Sequence, residues 1–432
     1  MLRRFAKVLG IGAAIALSAL LAALLAMKIA IDRVPRYQAE IRAWVYRQTG
    51  LHVRFSRVSP ALRWYGPELS FRDLELRAAD DRQVLAKAVR GRIGIDVWRV
   101  IESGRWFTPR IDLDSPTIVI ARTGPARFSL TTGIALHDAG STAAAFRPSD
   151  LPPGILSIRD GRLTVTGWNR RLPRLVLDHV DFLARRDAGA VQVRLDARLP
   201  AELGGELHFS GRAAGLDASD APRWHAMLAT RGVSFAGWRQ LLPDTLGHLR
   251  SGRGAFRLVA SGTGRDLSQA GFDFSATRVV ARASGGALAR FDRIAGHLQL
   301  THAGNRWTLA GQRVQAQRDG RTDPPSRFEV NWRGIRGGGL DLRAHASYLR
   351  ADNLLPLAAL LPQNSTRARL IALAPTGEWR DASLSLERAN SRAPWRFRVR
   401  ARFHNAGFAA FGRSPGVHGL SGVLEGDQNA GH

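Results

Sequence analysis

The side chains that most often perform catalysis are present in this chain, but their spacing forms none of the common catalytic motifs. The 12 histidines are scattered, and His297 and His302 would point to opposite sides of a strand. No lysine completes a phosphate-binding loop, and Gly262-Thr263-Gly264 lacks the third glycine of a dinucleotide-binding loop. No nucleophile elbow and no zinc-protease motif occurs. We therefore expect no enzymatic activity, no catalytic residue, no metal and no cofactor.

Arginine is the residue type with the most informative pattern. The chain has 63 Lys and Arg against 36 Asp and Glu, a formal charge of +27, and no cysteine. The absence of cysteine excludes disulfides, thiolate zinc sites and cysteine nucleophiles. Arginine alternates with apolar residues along the chain and forms no basic run, so we expect no nucleic-acid partner. The arginines either fill the solvated face of strands or form a surface that favours anionic lipid headgroups.

Three stretches, 191–199, 298–301 and 395–403, show this alternation clearly. On a strand, alternate side chains point to opposite faces, so each stretch has one dry and one wet side. The dry rows contain the candidate residues Val191, Val193, Leu195, Leu298, Leu300, Phe397, Val399 and Phe403. The wet rows contain the candidate residues Arg194, Arg198, Arg396, Arg398 and Arg400.

The two-residue period extends through most of the chain after residue 51 and predicts a mainly β fold. Turn signals separate the strands at Asp160-Gly161, Ala188-Gly189, Gly204-Gly205 and Asp319-Gly320. Two short helical segments are predicted at 235–246 and 351–361. Because strands and helices do not alternate regularly, we expect an elongated antiparallel sheet with a few short helices. The period alone leaves open whether the strands form a barrel, a sandwich or a curved open sheet.

The N-terminus predicts a membrane anchor. An uncharged stretch from Val8 to Met27, about 20 residues long, matches the hydrocarbon thickness of a bilayer. No convincing cleavage site follows it, so we expect the anchor to remain uncleaved. Basic residues before the helix favour a cytoplasmic N-terminus. The sequence therefore predicts a single-pass protein of the cell inner membrane with its body in the periplasm.

Five segments make up the predicted organisation. Residues 1–34 form the cytoplasmic tip and transmembrane anchor, and 35–50 form an amphipathic helix beside the membrane, opened by Pro35 and closed by Gly50. Residues 51–137 form a first β-rich segment, 138–154 a linker, and 155–432 a second β-rich segment. Because the polar end 426–432 reads as a turn, we expect the second segment to continue beyond the given chain.

Six short stretches together resemble the YhdP-type branch of the AsmA-like proteins. They are, in chain order, 49–53 (TGLHV), 64–71 (WYGPELSF), 95–99 (IDVWR), 360–362 (LLP), 373–377 (LAPTG) and 419–427 (GLSGVLEGD). Their order, together with the N-terminal anchor, carries the resemblance, which covers nearly the whole chain. Such proteins are much longer, so this chain resembles either their N-terminal part or a shortened version that needs partners.

The resemblance implies a periplasmic β-rich body that forms an apolar groove for phospholipids moving between the inner and outer membranes. This transport would support the barrier function of the outer membrane. The dry rows would then line the groove, and the arginine rows would face headgroups. The implied partners are phospholipids and the inner membrane, with envelope proteins as further candidates. Two alternatives remain open: a non-enzymatic assembly or scaffold factor for outer-membrane proteins, and a closed sandwich in which the dry rows meet each other.

Overall fold

The computed structural model of this chain describes most of the region after residue 51. The described residues are 39–40, 42–43, 46, 52–64, 66–77, 84–95, 109–124, 127–130, 154–167, 174–187, 189–216, 221–239, 249–282, 288–335, 337–353, 368, 371–410 and 415–429. The predicted anchor Val8–Met27 lies outside them, as does the predicted linker except for Gly154. Positions 39, 40, 42, 43 and 46 are helical. None of the helices within the described ranges is long and apolar enough to cross a bilayer.

The predicted mainly β fold is confirmed. Residues 1–167 and 178–187 form one compact unit, and residues 168–177 and 188–432 form another. Strand β9 (Arg174–Arg186) contributes residues to both units. Each unit is built from strands that hydrogen-bond to their neighbours, with only short helical segments among the described residues.

The first unit is organised around one central strand. Its strands are β1 (His52–Arg54), β2 (Arg57–Arg63), β3 (Gly66–Arg77), β4 (Val84–Ile95), β5 (Pro109–Asp114), β6 (Thr117–Gly124), β7 (Arg127–Leu130) and β8 (Gly154–Thr166). Strand β3 pairs with β1, β2 and β4. Phe71 and Leu74 are both buried in a core with Phe55, Val58 and Ala88, because the left-handed residue Asp73 interrupts the alternation between them. The Phe55 and Phe71 rings meet edge-on with their centroids 5.1 Å apart, a favoured aromatic geometry.

The expectation of a purely antiparallel sheet is wrong in this unit. Strand β8 runs parallel to both β5 and β6. Parallel neighbours need a connecting segment of about a dozen residues or more. The chain between Leu130 and Gly154 is long enough to supply one. The length of this connection therefore permits a change of strand direction that the two-residue period cannot reveal.

The second unit is a long antiparallel meander. Its elements are β10 (Ala190–Arg198), β11 (Glu206–Ala214), β12 (Arg223–Ser234), α1 (Phe235–Trp238), β13 (Leu249–Thr263), β14 (Asp266–Arg282), β15 (Leu288–Ala303), β16 (Arg306–Arg318), β17 (Arg321–Thr322), β18 (Ser326–Ile335), β19 (Gly339–Arg350), a 3₁₀ turn (Ala351–Asn353), β20 (Thr376–Arg388), β21 (Arg396–Phe408) and β22 (Val417–Asp427). Each strand pairs with the next, except that β17 only folds back on the end of β16, which continues to pair with β18. Both predicted helical segments begin with a short helix, and their later parts, 240–246 and 354–361, lie outside the described residues.

Two of the predicted turns have the same Asp-Gly sequence, but only one of them is a turn in the structure. Asp319 and Gly320 form a two-residue hairpin between Arg318 and Arg321, with positive φ values of 52° and 75°, which confirms that prediction. Asp160 and Gly161 were also predicted to form a turn, but they lie inside the continuous strand β8. A Cβ on Gly161 would stand 2.9 Å from Ile158 Cγ2 and 3.3 Å from the Pro116 ring. Close packing against Ile158 and Pro116 accounts for the glycine there, and the chain does not reverse its direction at this position.

Several strands contain a local break in their alternation. In β14, Ala276 and Val279 are buried, whereas Thr277 and Arg278 between them are both exposed. Arg278 has a φ of 52°, in the left-handed region. The same conformation occurs within strands at Asp73, Asp160, His179, Gly232, Arg313, Asp381 and Asn405. At several of these positions the register shifts as in a β-bulge, so the following residue returns to the inner face.

Candidate functional site

The backbone register of the second unit joins the three predicted dry rows into one surface. Directly paired residues of antiparallel strands have their side chains on the same face. Following the pairs from β10 to β21 gives a row made of Val193, Gly211, Ala226, Ala260, Ala270, Leu300, Leu309, Val330, Ala344, Leu384 and Val399. The predicted residues Val193, Leu300 and Val399 therefore belong to one apolar row that crosses eleven strands. We call the surface that contains it the apolar face.

A second row lies beside the first on the same face. It consists of Leu195, Phe209, Leu228, Leu258, Phe272, Leu298, Gly311, Phe328 and Ala346. The predicted residues Leu195 and Leu298 are thus brought together. Apart from Gly311, the residues of both rows are half-buried or exposed, and Leu384 has 39% of its surface accessible. The described residues therefore leave this face open to solvent.

A cavity lies on the apolar face between β14 and β21. Its volume is about 670 Å³, within the range of small-molecule sites. Much of its wall consists of apolar side chains, among them Phe274, Ile294, Phe328, Val330, Leu384 and Val399. We call it the apolar cavity. Because the surface that its wall exposes is almost entirely apolar, it suits a ligand that is largely hydrocarbon.

The remaining predicted dry-row residues lie in different surroundings. Val191 is 3% exposed and therefore buried. Phe397, opposite Leu386, is 40% exposed. Phe403 packs near Trp379, with ring centroids 6.0 Å apart, and Trp379 lines the apolar cavity. Of these three side chains, Phe397 is the most accessible to a ligand.

The arginines predicted to face water or headgroups lie on the face of the sheet opposite to the apolar face. These residues are Arg194, Arg198, Arg396, Arg398 and Arg400, and all five are exposed. Arg194 Nε lies 2.9 Å from Asp196, and Arg400 Nε lies 3.8 Å from Glu425. Asp196 also bonds to His208. Burial raises the pKa of Asp196, but its hydrogen bonds to His208 and Arg194 lower that pKa by more. The pKa of Asp196 therefore lies below its ordinary value.

One group of charged residues was not predicted from the sequence. Arg350 donates from Nε to Asp323 at 2.7 Å and from Nη2 to Glu378 at 2.9 Å and to the Tyr348 hydroxyl at 3.1 Å. The second Asp323 oxygen accepts a bond from Asn353 at 2.8 Å. The Arg350 and Asp323 side chains are only 17% and 11% exposed. We call these five residues the buried charge cluster.

The charges in this cluster stabilise each other. Burial lowers the pKa of Arg350, but its hydrogen bond to Asp323 and the nearby negative charges raise it above the ordinary value. Burial, followed by the Asp323 charge, raises the pKa of Tyr348. No short motif reveals the cluster because Asp323, Arg350 and Glu378 lie in segments that are far apart in the chain. The only local signal is Arg350 itself, a charged residue directly after the apolar pair Tyr348-Leu349.

The described ranges contain no group of three or more histidine, aspartate or glutamate side chains placed to hold a metal ion. Their most extensive functional feature is a β-sheet with one continuous, accessible apolar face. This arrangement defines a class of protein suited to binding extended apolar ligands.

The comparison with known families agrees with this class. The chain belongs to the YhdP family, whose model, described as YhdP protein, matches residues 1–432. This confirms the resemblance to the YhdP-type branch of the AsmA-like proteins. No curated protein and no solved structure matches the chain.

Proposed function

We propose that the apolar face binds the acyl chains of phospholipids and conducts them between the inner and outer membranes. The observation that carries the proposal is the row from Val193 to Val399, in which apolar or glycine residues follow one another without a polar interruption. Ten inter-strand steps separate its ends, which corresponds to a path of about 50 Å along the sheet. Membership of the YhdP family supports the same function.

The physical chemistry of an acyl chain fits such a surface. Hydrocarbon has no hydrogen-bonding groups, and each methylene removed from water contributes about 0.8 kcal/mol. Because this attraction is non-directional, successive positions along the row offer an acyl chain similar stabilisation. A lipid can therefore shift from one position to the next without breaking a specific bond. This favours conduction along the face over permanent capture at one point.

The accessibility of the apolar face favours an open groove over a closed sandwich. In a closed core, side chains such as Leu384 would be almost fully removed from water, but Leu384 is 39% exposed. An accessible apolar surface of this extent usually marks a binding site. The open groove therefore remains our preferred arrangement, with the predicted rows as its wall.

We further propose where the protein is located and how it acts. The stretch from Val8 to Met27 anchors the protein in the inner membrane, and the body lies in the periplasm. The protein acts without enzymatic chemistry, because moving a lipid along an apolar wall requires no bond to form or break. Phospholipids and the inner membrane are the proposed partners, and nucleic acid is not one.

Site-specific photo-crosslinking tests the proposal directly. A benzophenone amino acid is placed at Val193, Val330 or Val399 on the apolar face, and at Arg194, Glu329 or Arg400 as matched neighbours on the opposite face. After irradiation in cells, mass spectrometry identifies the captured molecules. We expect phospholipid at the three apolar positions and little at their neighbours. Equal capture on both faces, or capture of outer-membrane protein without lipid, contradicts the proposal.

A further inference from the structure

A second cavity adjoins the apolar cavity at the ends of β16, β19, β20 and β21. Its volume is about 910 Å³, and it shares Asp323 and Arg350 with the apolar cavity. In contrast to the apolar cavity, it is lined by charged and polar side chains, including Arg318, Asp319, Arg321, Asp352, His404 and His418. We call it the polar cavity. The two adjacent cavities therefore offer surroundings of opposite polarity.

The buried charge cluster forms the wall that the two cavities share. The Arg350 guanidinium is engaged by Asp323, Glu378 and Tyr348. Both carboxylate oxygens of Asp323 also have partners, Arg350 and Asn353. Because the charged side chains of the cluster pair with one another, the wall is not the primary binding group for a ligand. It lies at the boundary between the apolar and the polar surroundings and holds the residues of both cavities in position.

The polar cavity has positive groups available for a ligand. Within the described part of the chain, Arg321 has no ion-pair partner, and its side chain is exposed. Arg318 lies 3.4 Å from Asp319, its one ion-pair partner in the described ranges, and because Asp319 is 82% exposed, solvent weakens this pair. Both arginines flank the Asp319-Gly320 hairpin, which holds them close together. Guanidinium groups of this kind bind phosphate with paired hydrogen bonds.

The polar cavity also has negative groups. Asp352 uses Oδ2 to accept a hydrogen bond from the backbone N–H of Gly377 at 3.1 Å. Among the described residues its Oδ1 has no hydrogen-bond partner, so this oxygen can accept a hydrogen bond from a ligand. Glu378 and Asp319 add further negative charge to the lining. These carboxylates would repel a headgroup that carries only negative charge, whereas they attract an ammonium group.

From these observations we infer that the polar cavity is a headgroup site selective for zwitterionic phospholipids. The phosphate is bound by Arg318 and Arg321, and the ammonium group is bound by Asp352. The acyl chains lie in the adjoining apolar cavity, beyond Arg350. This inference rests on the proposed lipid-binding function and adds to it the class of headgroup and the residues that recognise it.

The test uses the full chain with the crosslinker at Val399, which lines the apolar cavity. The protein is incubated with vesicles of equal phosphatidylethanolamine and phosphatidylglycerol content, and mass spectrometry gives the ratio of captured lipids. We expect phosphatidylethanolamine to be enriched about tenfold, the discrimination supplied by one charge-assisted hydrogen bond. Capture of both lipids in the vesicle ratio overturns the inference while leaving the proposed function intact. Capture of neither lipid overturns the proposed function itself.

Two variants and a control identify the responsible residues. Asp352→Asn should bring the ratio close to one, while total capture at Val399 persists. Arg318→Gln/Arg321→Gln removes the phosphate contacts that both lipids share, so it should lower the capture of both lipids without abolishing the enrichment. Asparagine at 352 keeps an oxygen for the Gly377 N–H, so the fold is retained, as thermal unfolding will verify. The control Arg398→Gln, on the opposite face, should leave the enrichment unchanged. An unchanged ratio in Asp352→Asn, or unchanged capture in Arg318→Gln/Arg321→Gln, overturns the assignment of the respective residues.

A competition experiment separates a lipid headgroup from a soluble phosphate compound. O-phosphoethanolamine or inorganic phosphate at about 1 mM should leave lipid capture intact, because neither gains the energy of acyl-chain burial. Complete displacement of phosphatidylethanolamine by either compound would assign the polar cavity to a soluble phosphate ligand and overturn the lipid assignment.

Discussion

The ring of Phe328 on β18 lies against Gly311, its direct partner on β16. A Cβ added to Gly311 would overlap the ring, with Cδ1 and Cζ of Phe328 each 2.6 Å away. The missing side chain at 311 therefore lets the aromatic ring lie close to the sheet. Because Phe328 lines the apolar cavity, this glycine helps to determine how much of the cavity stays open.

We expect the substitution Gly311→Ala to displace the Phe328 ring towards the cavity and to lower the free energy of unfolding by about 1–3 kcal/mol, as overpacking does. Urea denaturation measures the change. Gly334→Ala is the control, because no atom lies within 4 Å of the added Cβ, and it should change stability by about 0.5 kcal/mol at most. Equal changes in the free energy of unfolding for the two substitutions would show that contact with Phe328 does not cause the loss of stability.

The open groove predicts that a charge on the apolar face affects lipid binding more than folding. Leu384 lies on this face, whereas its neighbour Ser385 lies opposite Arg398 on the other face. We expect Leu384→Asp to reduce lipid capture at Val399 at least about tenfold, while thermal unfolding remains cooperative because the carboxylate can reach water. Ser385→Asp should leave lipid capture unchanged. Complete unfolding of Leu384→Asp would instead indicate a closed core.

Breaking the buried charge cluster should strongly destabilise the second unit. The substitution Arg350→Gln leaves the buried carboxylate of Asp323 without its cationic partner. The free energy of unfolding should fall by about 3–5 kcal/mol, as for other broken buried pairs. The double variant Asp323→Asn/Arg350→Gln removes both charges and should lose less than the sum of the single changes. Additive losses in urea denaturation would contradict strong coupling between the two residues.

The left-handed backbone at Arg278 predicts an unusual order of stabilities. Glycine adopts a φ of 52° without the cost that an L side chain incurs. Arg278→Gly should therefore be neutral or stabilising by up to about 1 kcal/mol, whereas Arg278→Val should cost more than about 1 kcal/mol. At the neighbouring Thr277, whose φ is negative, glycine should destabilise the strand. Thermal unfolding of the three variants tests this order.

The lowered pKa of Asp196 predicts a dependence of stability on pH. A carboxyl group with a depressed folded-state pKa stabilises the fold above its unfolded pKa of about 3.9 and loses that contribution as the pH falls through the folded value. Asp196→Asn should flatten the curve of unfolding free energy between about pH 5 and about pH 2. Arg194→Gln removes one of the two hydrogen-bond partners of Asp196, so the unfolding free energy of this variant should change with pH by an intermediate amount. An unchanged curve for Asp196→Asn would show that the lowered pKa of Asp196 does not cause the pH dependence of stability.

The sequence alone predicted features that depend on near neighbours in the chain. The opposite orientations of Val193 and Arg194 follow from the geometry of any strand. The Asp319-Gly320 hairpin follows from the backbone preferences of its two residues. The mainly β class and the family resemblance rest on similar local patterns repeated over the whole chain. These features needed no knowledge of which strands are adjacent.

Tertiary structure decided which strands pair and in what register. The row from Val193 to Val399 exists only because hydrogen bonds align eleven strands, and the left-handed residues reset the alternation at points such as Arg278. The parallel course of β8 depends on a long connection, and the charge cluster depends on Asp323, Arg350 and Glu378 meeting from separate segments. Strand register and charge pairing are interactions between distant residues, whereas side-chain alternation is a property of each strand by itself.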